Sequence, residues 1–548
     1  MEIALCNEIP TYAGGLGVLA GDTLRSAADL RIPLVAVSLV SRQGYFRQEI
    51  DSDGGQVEHA DPWHPEAFTR SLPAKVSVVI SGREVWIRSW LYVVEGLAGG
   101  RQPVILLDTD LPENGEDDRH ITDVLYGGDA SYRLKQEVVL GMGGVQMLEA
   151  LGFRIQSYHL NEGHSAFLTL QLLERYAYEE HGLRPGDPRF DLPRVREMCH
   201  FTTHTPVEAG HDRFSYELVK AVLDSRIDSE LLQHLAGREE FNTTRLALNL
   251  SEYVNGVARS HVATSKRMFP EYELSAITNG VHPNTWTHPE FARLYDRSLP
   301  SWRAEPELLM RADCCLSPEL IWDCHMVAKR QLLEMVRSRC GVTLDESIPT
   351  LGYARRMTQY KRPELLFADL DRLRTLAARY SFQVVLAGKA HPQDASGKRA
   401  IEHLHRLIRE LETDIRIVFI PNYDMEIAQA MVSGVDIWLN TPEPPLEASG
   451  TSGMKAAFNG VPHLSVLDGW WLEGHIEGIT GWAIGNGAPD MPSADVSALF
   501  DKLEQVVLPL FSDRDAWVSI MQGVISRNAS MFHSHRMMRR YAAEAYLR

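Results

Sequence analysis

Short apolar runs rich in Val, Ile and Leu punctuate the chain and set its expected elements. In the first half, PLVAVSLV, KVSVVI and PVILLDTD read as strands, while residues 131–151 have helical length and period. The second half is more regular. TLGYA, FQVVLAG, IRIVFI, VDIWLN and PHLSVLD follow one another with a helix-sized segment between each pair. That alternation predicts a parallel sheet with crossover helices, a Rossmann-like α/β lobe. Ligands of such sheets bind outside the carboxyl ends of the strands, so the residues just after these runs carry the most functional weight. The rhythm breaks at ITNGVHPNTWTHPEF. A boundary near 283 is therefore expected, with a first lobe over 1–283, a second over 284–526 and a last helix over 527–548 that packs back on the first lobe. No repeat of 20–50 residues stands out.

Charge and composition narrow the function classes. The 548 residues carry 55 Lys and Arg against 73 Asp and Glu, a formal charge of −18. A chain this acidic lacks the positive field of a non-specific nucleic-acid binder. An anionic ligand would have to be held by a local gathering of cations and backbone N–H groups. The longest apolar run, IPLVAVSLV, is of strand length only. No basic segment ahead of an apolar stretch marks a secretory signal. Six scattered cysteines do not form a disulfide framework. The expectation is a soluble, cytoplasmic protein.

Three segments carry candidate chemistry. In PTYAGGLGVLAGDTL, Gly14, Gly15 and Gly17 precede a helix with Asp22 in its early turns. Glycines there let amides approach an anion, although a tight packing turn has the same composition. In GYARRMTQYKRPELLF, Arg355, Arg356, Lys361 and Arg362 follow an apolar strand directly. Arg and Lys at a strand's carboxyl end fit phosphate better than a solvated helix start. In residues 443–460, Ser449, Gly450, Thr451, Ser452 and Gly453 precede a helix expected to begin near Met454, with Lys455 in its first turn. The helix dipole disfavours a cation there, which a covalently engaged lysine would resolve. An exposed lysine is the plain alternative. His200 with His204, and Cys324 with His325 near Cys314 and Cys315, lack zinc-site spacing, so no metal is expected.

With these segments in view, the chain resembles the α-glucan phosphorylases, in the short type of the glycogen phosphorylase family. The likeness runs in order through YAGGLGVLAGDTL, DVLYGGDASYRLKQE, HLNEGHSAF, THTPVEAGHDRF, ITNGVHPNTW, YARRMTQYKRP, VFIPNYDMEIA and EASGTSGMKAAFNG. It implies two Rossmann-like lobes facing a cleft, the GT-B arrangement, and pyridoxal phosphate held as a Schiff base on Lys455. By the same matching, Arg355 (a Lys in many members), Thr451 and Lys361 bind the cofactor phosphate. Gly15 closes the cofactor side, and Tyr423 and Trp286 line its pocket. Arg356, Lys361 and the Gly14 and Gly15 amides hold the substrate phosphate. Asn279, Tyr360, Glu447, Ser449, Gly450 and His204 face the glucosyl unit. The implied reaction is reversible phosphorolysis of terminal α-1,4 bonds of glycogen or maltodextrin to α-glucose 1-phosphate. The cofactor's 5′-phosphate assists proton transfer, and Lys455, Arg356, Lys361 and His204 form the catalytic set.

The resemblance also implies a possible homodimer and, because the effector-regulated members are much longer, no allosteric control of their kind. It places further sequence, including a strand, ahead of the position of Met1. Two rivals share the fold: a nucleotide-sugar glucosyltransferase and a non-catalytic glucan-binding relative. Lys455 speaks against the first, and the intact Lys455, Arg356 and Lys361 against the second.

Overall fold

The computed structural model describes residues 1–179, 187–207, 210–223, 227–487 and 492–547. Its second half is built on a six-stranded, all-parallel sheet. In spatial order the strands are Arg416–Ile420, Gln383–Ala387, Thr350–Ala354, Ile437–Asn440, His463–Val466 and Gly481–Ile484. Numbered along the chain this is 3-2-1-4-5-6, the order of a doubly wound dinucleotide-type sheet. Helices cover both faces, so the four inner strands are buried throughout and read as unbroken apolar runs, without alternation. The sixth strand, Gly481–Ile484, was not visible in the apolar pattern. It is four residues long, and it opens on Gly481, whose missing side chain lets it press against the His463 backbone. The order reverses between Thr350–Ala354 and Ile437–Asn440, where Leu351 pairs with Ile437. The loops leaving those two strands border the crevice at the reversal.

The first half holds two further four-stranded sheets. One runs Ala36–Leu39, Arg101–Asp108, Arg83–Glu95, Arg70–Ile80, its first pair parallel and the others antiparallel. The 13-residue strand Arg83–Glu95 is an addition to the sequence reading. It is joined to its neighbour by Ser81 and Gly82, both at positive φ, the geometry that a two-residue hairpin needs. The other sheet, Ser275–Ala276, Tyr253–Gly256, Cys199–Thr202, Tyr158–Asn161, is wholly parallel. The helix expected over 131–151 is present as Ala130–Val138 and Gly144–Ala150, joined by a π-turn at Val139–Gly143. There Gly141 lies on the Phe167–Leu168 backbone with no room for a side chain.

Two crossings tie the halves together. The outgoing segment pairs with the returning one: Val281 N–H donates to Phe532 O at 3.2 Å and Ser534 N–H to Val281 O at 2.9 Å. Gly280 is required at this contact, since a Cβ would stand 2.3 Å from the His533 backbone. Helix Ser534–Tyr541 then packs on helix Gly15–Asp29 through Met537, Met538 and Tyr541 against Leu19 and Ala27. Beside it, the Asp29 carboxylate sits 2.9 Å from His282 Nε2 and 3.0 Å from His535 Nε2. These three form the only potential metal-ligating group among the described residues. Thr285 N–H donates to His282 Nδ1, so its Nε2 carries the hydrogen that Asp29 accepts. Asp29 is thus a carboxylate hydrogen-bonded by both imidazoles. His325 and Cys324, weighed as ligands from sequence, are instead bonded to Asp436 and to the Glu290 carbonyl. No described helix is long and apolar enough to cross a membrane.

Candidate active site

The crevice at the sheet reversal gathers residues from four separate stretches. Arg355 and Arg356 leave the carboxyl end of strand Thr350–Ala354, and the short turn Gln359–Lys361 follows. Strand Ile437–Asn440 delivers Glu447, Ser449 and Gly450 in its outgoing loop, then helix Ser452–Ala457 with Lys455. This helix begins two residues earlier than expected, because Gly453 fits into the turn against His463 and Trp470, where a Cβ would come within 2.8 Å. Lys455 is therefore in the last turn, so the dipole argument for an engaged lysine fails. Burial now makes the case for that lysine.

A buried ion triad forms the floor. Glu447 pairs with Arg355 and accepts from Lys361 Nζ at 2.7 and 2.6 Å. Burial alone would raise the Glu447 carboxyl, but Arg355 and Lys361 outweigh it and hold it at about 2. Asp468 supports the triad from beneath by accepting Glu447 N–H and Gly469 N–H, each at 2.8 Å. Burial pushes Asp468 up to about 7 against the pull of those amides. Tyr360 covers Lys361, whose ammonium lies 4.6 Å from its ring centre. Burial would raise the Tyr360 phenol, yet Lys361 and Arg356 bring it below its ordinary value. Arg356 alone of this group is exposed.

Lys455 lies apart from the triad. It is 8% exposed, with Nζ 4.0 Å from the ring centre of Trp286, and Trp286 Nε1–H donates to Asp22 Oδ2 at 2.8 Å. Burial lowers the ammonium to about 8, opposed by the Asp22 charge. At neutral pH an appreciable fraction is thus the free amine, the form that adds to an aldehyde. Three polar atoms of the expected site lack partners. Arg355 Nη1, Ser449 Oγ and Asn279 Oδ1 are buried with no hydrogen bond among the described residues. A lysine partly present as the free amine and packed on an indole ring, with an unsatisfied guanidinium nitrogen on Arg355, fits a phosphorylated aldehyde such as pyridoxal phosphate. Tyr423 packs half-buried on the same core, and Thr451 O accepts Lys455 N–H at 3.2 Å.

The first half supplies the other wall. Helix Gly15–Asp29 has no side-chain cap. Glu2 Oε2 accepts the N–H of Ala13 at 2.6 Å and of Gly14 at 3.1 Å, and Oε1 accepts Tyr126 O–H at 3.0 Å. Of the two amides expected to meet phosphate, that of Gly14 is thus bonded to Glu2, and that of Gly15 makes no hydrogen bond among the described residues. A Cβ on Gly15 would meet nothing within 4 Å. Gly15→Ala is accordingly expected to leave the urea midpoint unchanged while raising the apparent Kd for inorganic phosphate at least fivefold, because the methyl projects into the cleft. Titration of both proteins checks this, and unchanged affinity would remove Gly15 from the site. His204 stands in the loop after strand Cys199–Thr202, its Nε2 2.6 Å from Asn161 Oδ1. Burial takes its pKa down to about 3, so the ring is neutral at physiological pH and serves as a hydrogen-bonding group. Glu2, Asp468 and Asn161 were not singled out from sequence, and nothing local in their surroundings marks them.

Cations from the first strand's carboxyl end and a buried lysine from the fourth strand's outgoing segment thus come together on an α/β fold. A family model described as carbohydrate phosphorylase matches residues 207–477. The chain is 38% identical over its whole length to the maltodextrin phosphorylase of Thermococcus litoralis, of which it covers 70%. It is 36% identical to the glycogen phosphorylase of Aquifex aeolicus over all of this chain and 85% of that protein. An uncharacterized protein of Methanocaldococcus jannaschii is 31% identical over all of this chain and 98% of its own length. The chain belongs to the carbohydrate phosphorylase family.

Proposed function

We propose that the protein is an α-glucan phosphorylase that cleaves the terminal α-1,4 bond of glycogen or maltodextrin with inorganic phosphate, releasing α-glucose 1-phosphate. The observation that carries this is a buried Lys455, its Nζ without a hydrogen bond among the described residues, on the segment that leaves the strand beside the one that delivers Arg355, Arg356 and Lys361. We read the chain as two lobes meeting near residue 283 in the GT-B arrangement, with the cleft between them and the last helix returning to the first lobe. Lys455, with Arg355, Thr451, Tyr423 and Trp286, would hold pyridoxal phosphate. When bound, that group supplies a 5′-phosphate able to pass a proton to the substrate phosphate.

The remaining work falls to the chain. Arg356 and Lys361 neutralise and orient the attacking phosphate, with the Gly15 amide above it. Fixed charges beside the developing oxocarbenium character lower the barrier without reorganisation. Glu447, Ser449, Asn279, Tyr360 and neutral His204 position the sugar hydroxyls, and no carboxylate pair of the glycosidase kind is needed. Six cysteines without disulfides are in keeping with a reducing cytoplasm.

The test is a reconstituted assay. Protein loaded with pyridoxal phosphate is expected to convert maltodextrin and phosphate to α-glucose 1-phosphate. Borohydride should fix the cofactor on Lys455, as read by peptide mass. Arg356→Ala should lose at least a thousandfold in kcat/KM. Turnover of a nucleotide sugar in place of phosphorolysis, or full activity in Arg356→Ala, would overturn the reading.

A further inference from the structure

The geometry points to Glu162 as a positioning residue that fixes His204 at the cleft. This rests on the phosphorolysis reading and extends it to a residue outside the set derived above. Strand Tyr158–Asn161 ends one residue before Glu162, and successive strand side chains normally point to opposite faces. Glu162 breaks that alternation. It stands at φ +70° and ψ 171°, a region essentially reserved for glycine. The departure brings its carboxylate round to the loop that Asn161 also reaches.

The result is a clamp with two points. Glu162 Oε2 accepts His204 N–H at 2.8 Å and Thr205 Oγ1–H at 2.8 Å, while Oε1 accepts Gly163 N–H at 3.2 Å. Asn161 Oδ1, one residue earlier, meets His204 Nε2 at 2.6 Å. Backbone and ring of His204 are therefore both held from consecutive residues of a single strand end. Among the described residues its carbonyl takes no hydrogen bond. Glycine would adopt this backbone freely, so a glutamate here is strained for the sake of its side chain. A proton-transfer role fits less well. Two of the three donors on the carboxylate are backbone N–H groups, which only donate, so both oxygens act as acceptors.

Two variants and two readouts separate the possibilities. Glu162→Gly keeps the backbone conformation and removes the clamp. It is expected to lower kcat at least tenfold, leave KM for phosphate within twofold, and cut hydrogen-exchange protection of the His204 amide at least tenfold. Glu162→Gln retains an acceptor for His204 N–H and is expected to recover kcat to within about threefold of the parent, with an unshifted pH–rate profile. Parental kcat in Glu162→Gly would overturn the proposal. So would a Glu162→Gln as impaired as Glu162→Gly with one limb of the pH profile lost, which would make Glu162 a titrating participant. Exchange at His204 is independent of turnover. Lost protection in Glu162→Gly, in a protein whose parent showed no phosphorolysis, would uphold the clamp and refute the activity reading instead.

Discussion

Glu447→Gln is expected to lower stability by about 3–5 kcal/mol, the cost of leaving buried charge without its counterion. Arg355 and Lys361 both depend on this one carboxylate and are buried around it. The amide replaces a full negative charge with a dipole, and neither cation can reach water without opening the crevice. A surface pair would cost under about 1 kcal/mol, so the magnitude distinguishes a buried triad from a rim contact. Urea midpoints of parent and variant at pH 7.5 supply the measurement. Inorganic phosphate should recover part of the deficit, since an anion bound by the same cations stands in for the lost charge and ligand binding adds to folding stability. A deficit below about 1 kcal/mol, or one indifferent to phosphate, would mean that the three groups do not form a phosphate-facing unit. Turnover should fall as well, because unbalanced cations move before they orient a substrate.

The buried sheet was the most legible part of this chain. Five of its six strands stand out because both faces are covered, which makes TLGYA and VDIWLN continuous apolar words between helix-sized stretches. Strand Arg83–Glu95 was missed for the opposite reason: an antiparallel sheet with a solvated face mixes Arg, Glu and Ser among Trp, Ile and Val. In the crevice, sequence brought out the residues that sit in recognisable words, such as Lys455 in SGMKAA. It did not bring out those that act at a distance. Glu2 reaches amides 11 and 12 positions away, and Asp468 lies 21 residues beyond the Glu447 amide it holds. Glu162 was in plain view in HLNEGHSAF, but its importance comes from a positive φ that composition does not encode.

Acid should unfold this protein early. Burial holds His159, His204 and His463 at about 3 and His261 at about 4, and it pulls His164, His282 and His533 down as well. An unfolded histidine titrates near 6.5. Below that value the unfolded chain binds protons that the folded one refuses, so stability is whole above about 6.5 and falls as pH drops toward 3–4. Each imidazole contributes about 1.4 kcal/mol per pH unit in that window. Going from pH 7.5 to 5.5, the first four together remove about 5 kcal/mol. Asp468 opposes them. Held at about 7, it takes up a proton in the folded state first and returns about 2 kcal/mol over the same interval. Glu137, Glu162, Asp123 and Asp424, also raised by burial, act in its direction, while His164, His282 and His533, joined by His288, His391 and His405, act against it. The histidines outnumber the carboxyls, so the net expectation is a loss of several kcal/mol, seen as a lower urea midpoint at pH 5.5 than at 7.5. His463→Asn should shrink that difference by about 1.4 kcal/mol. A midpoint that holds steady or rises on acidification would mean that these imidazoles take up protons in the folded protein, and that water reaches cores the fold presents as closed.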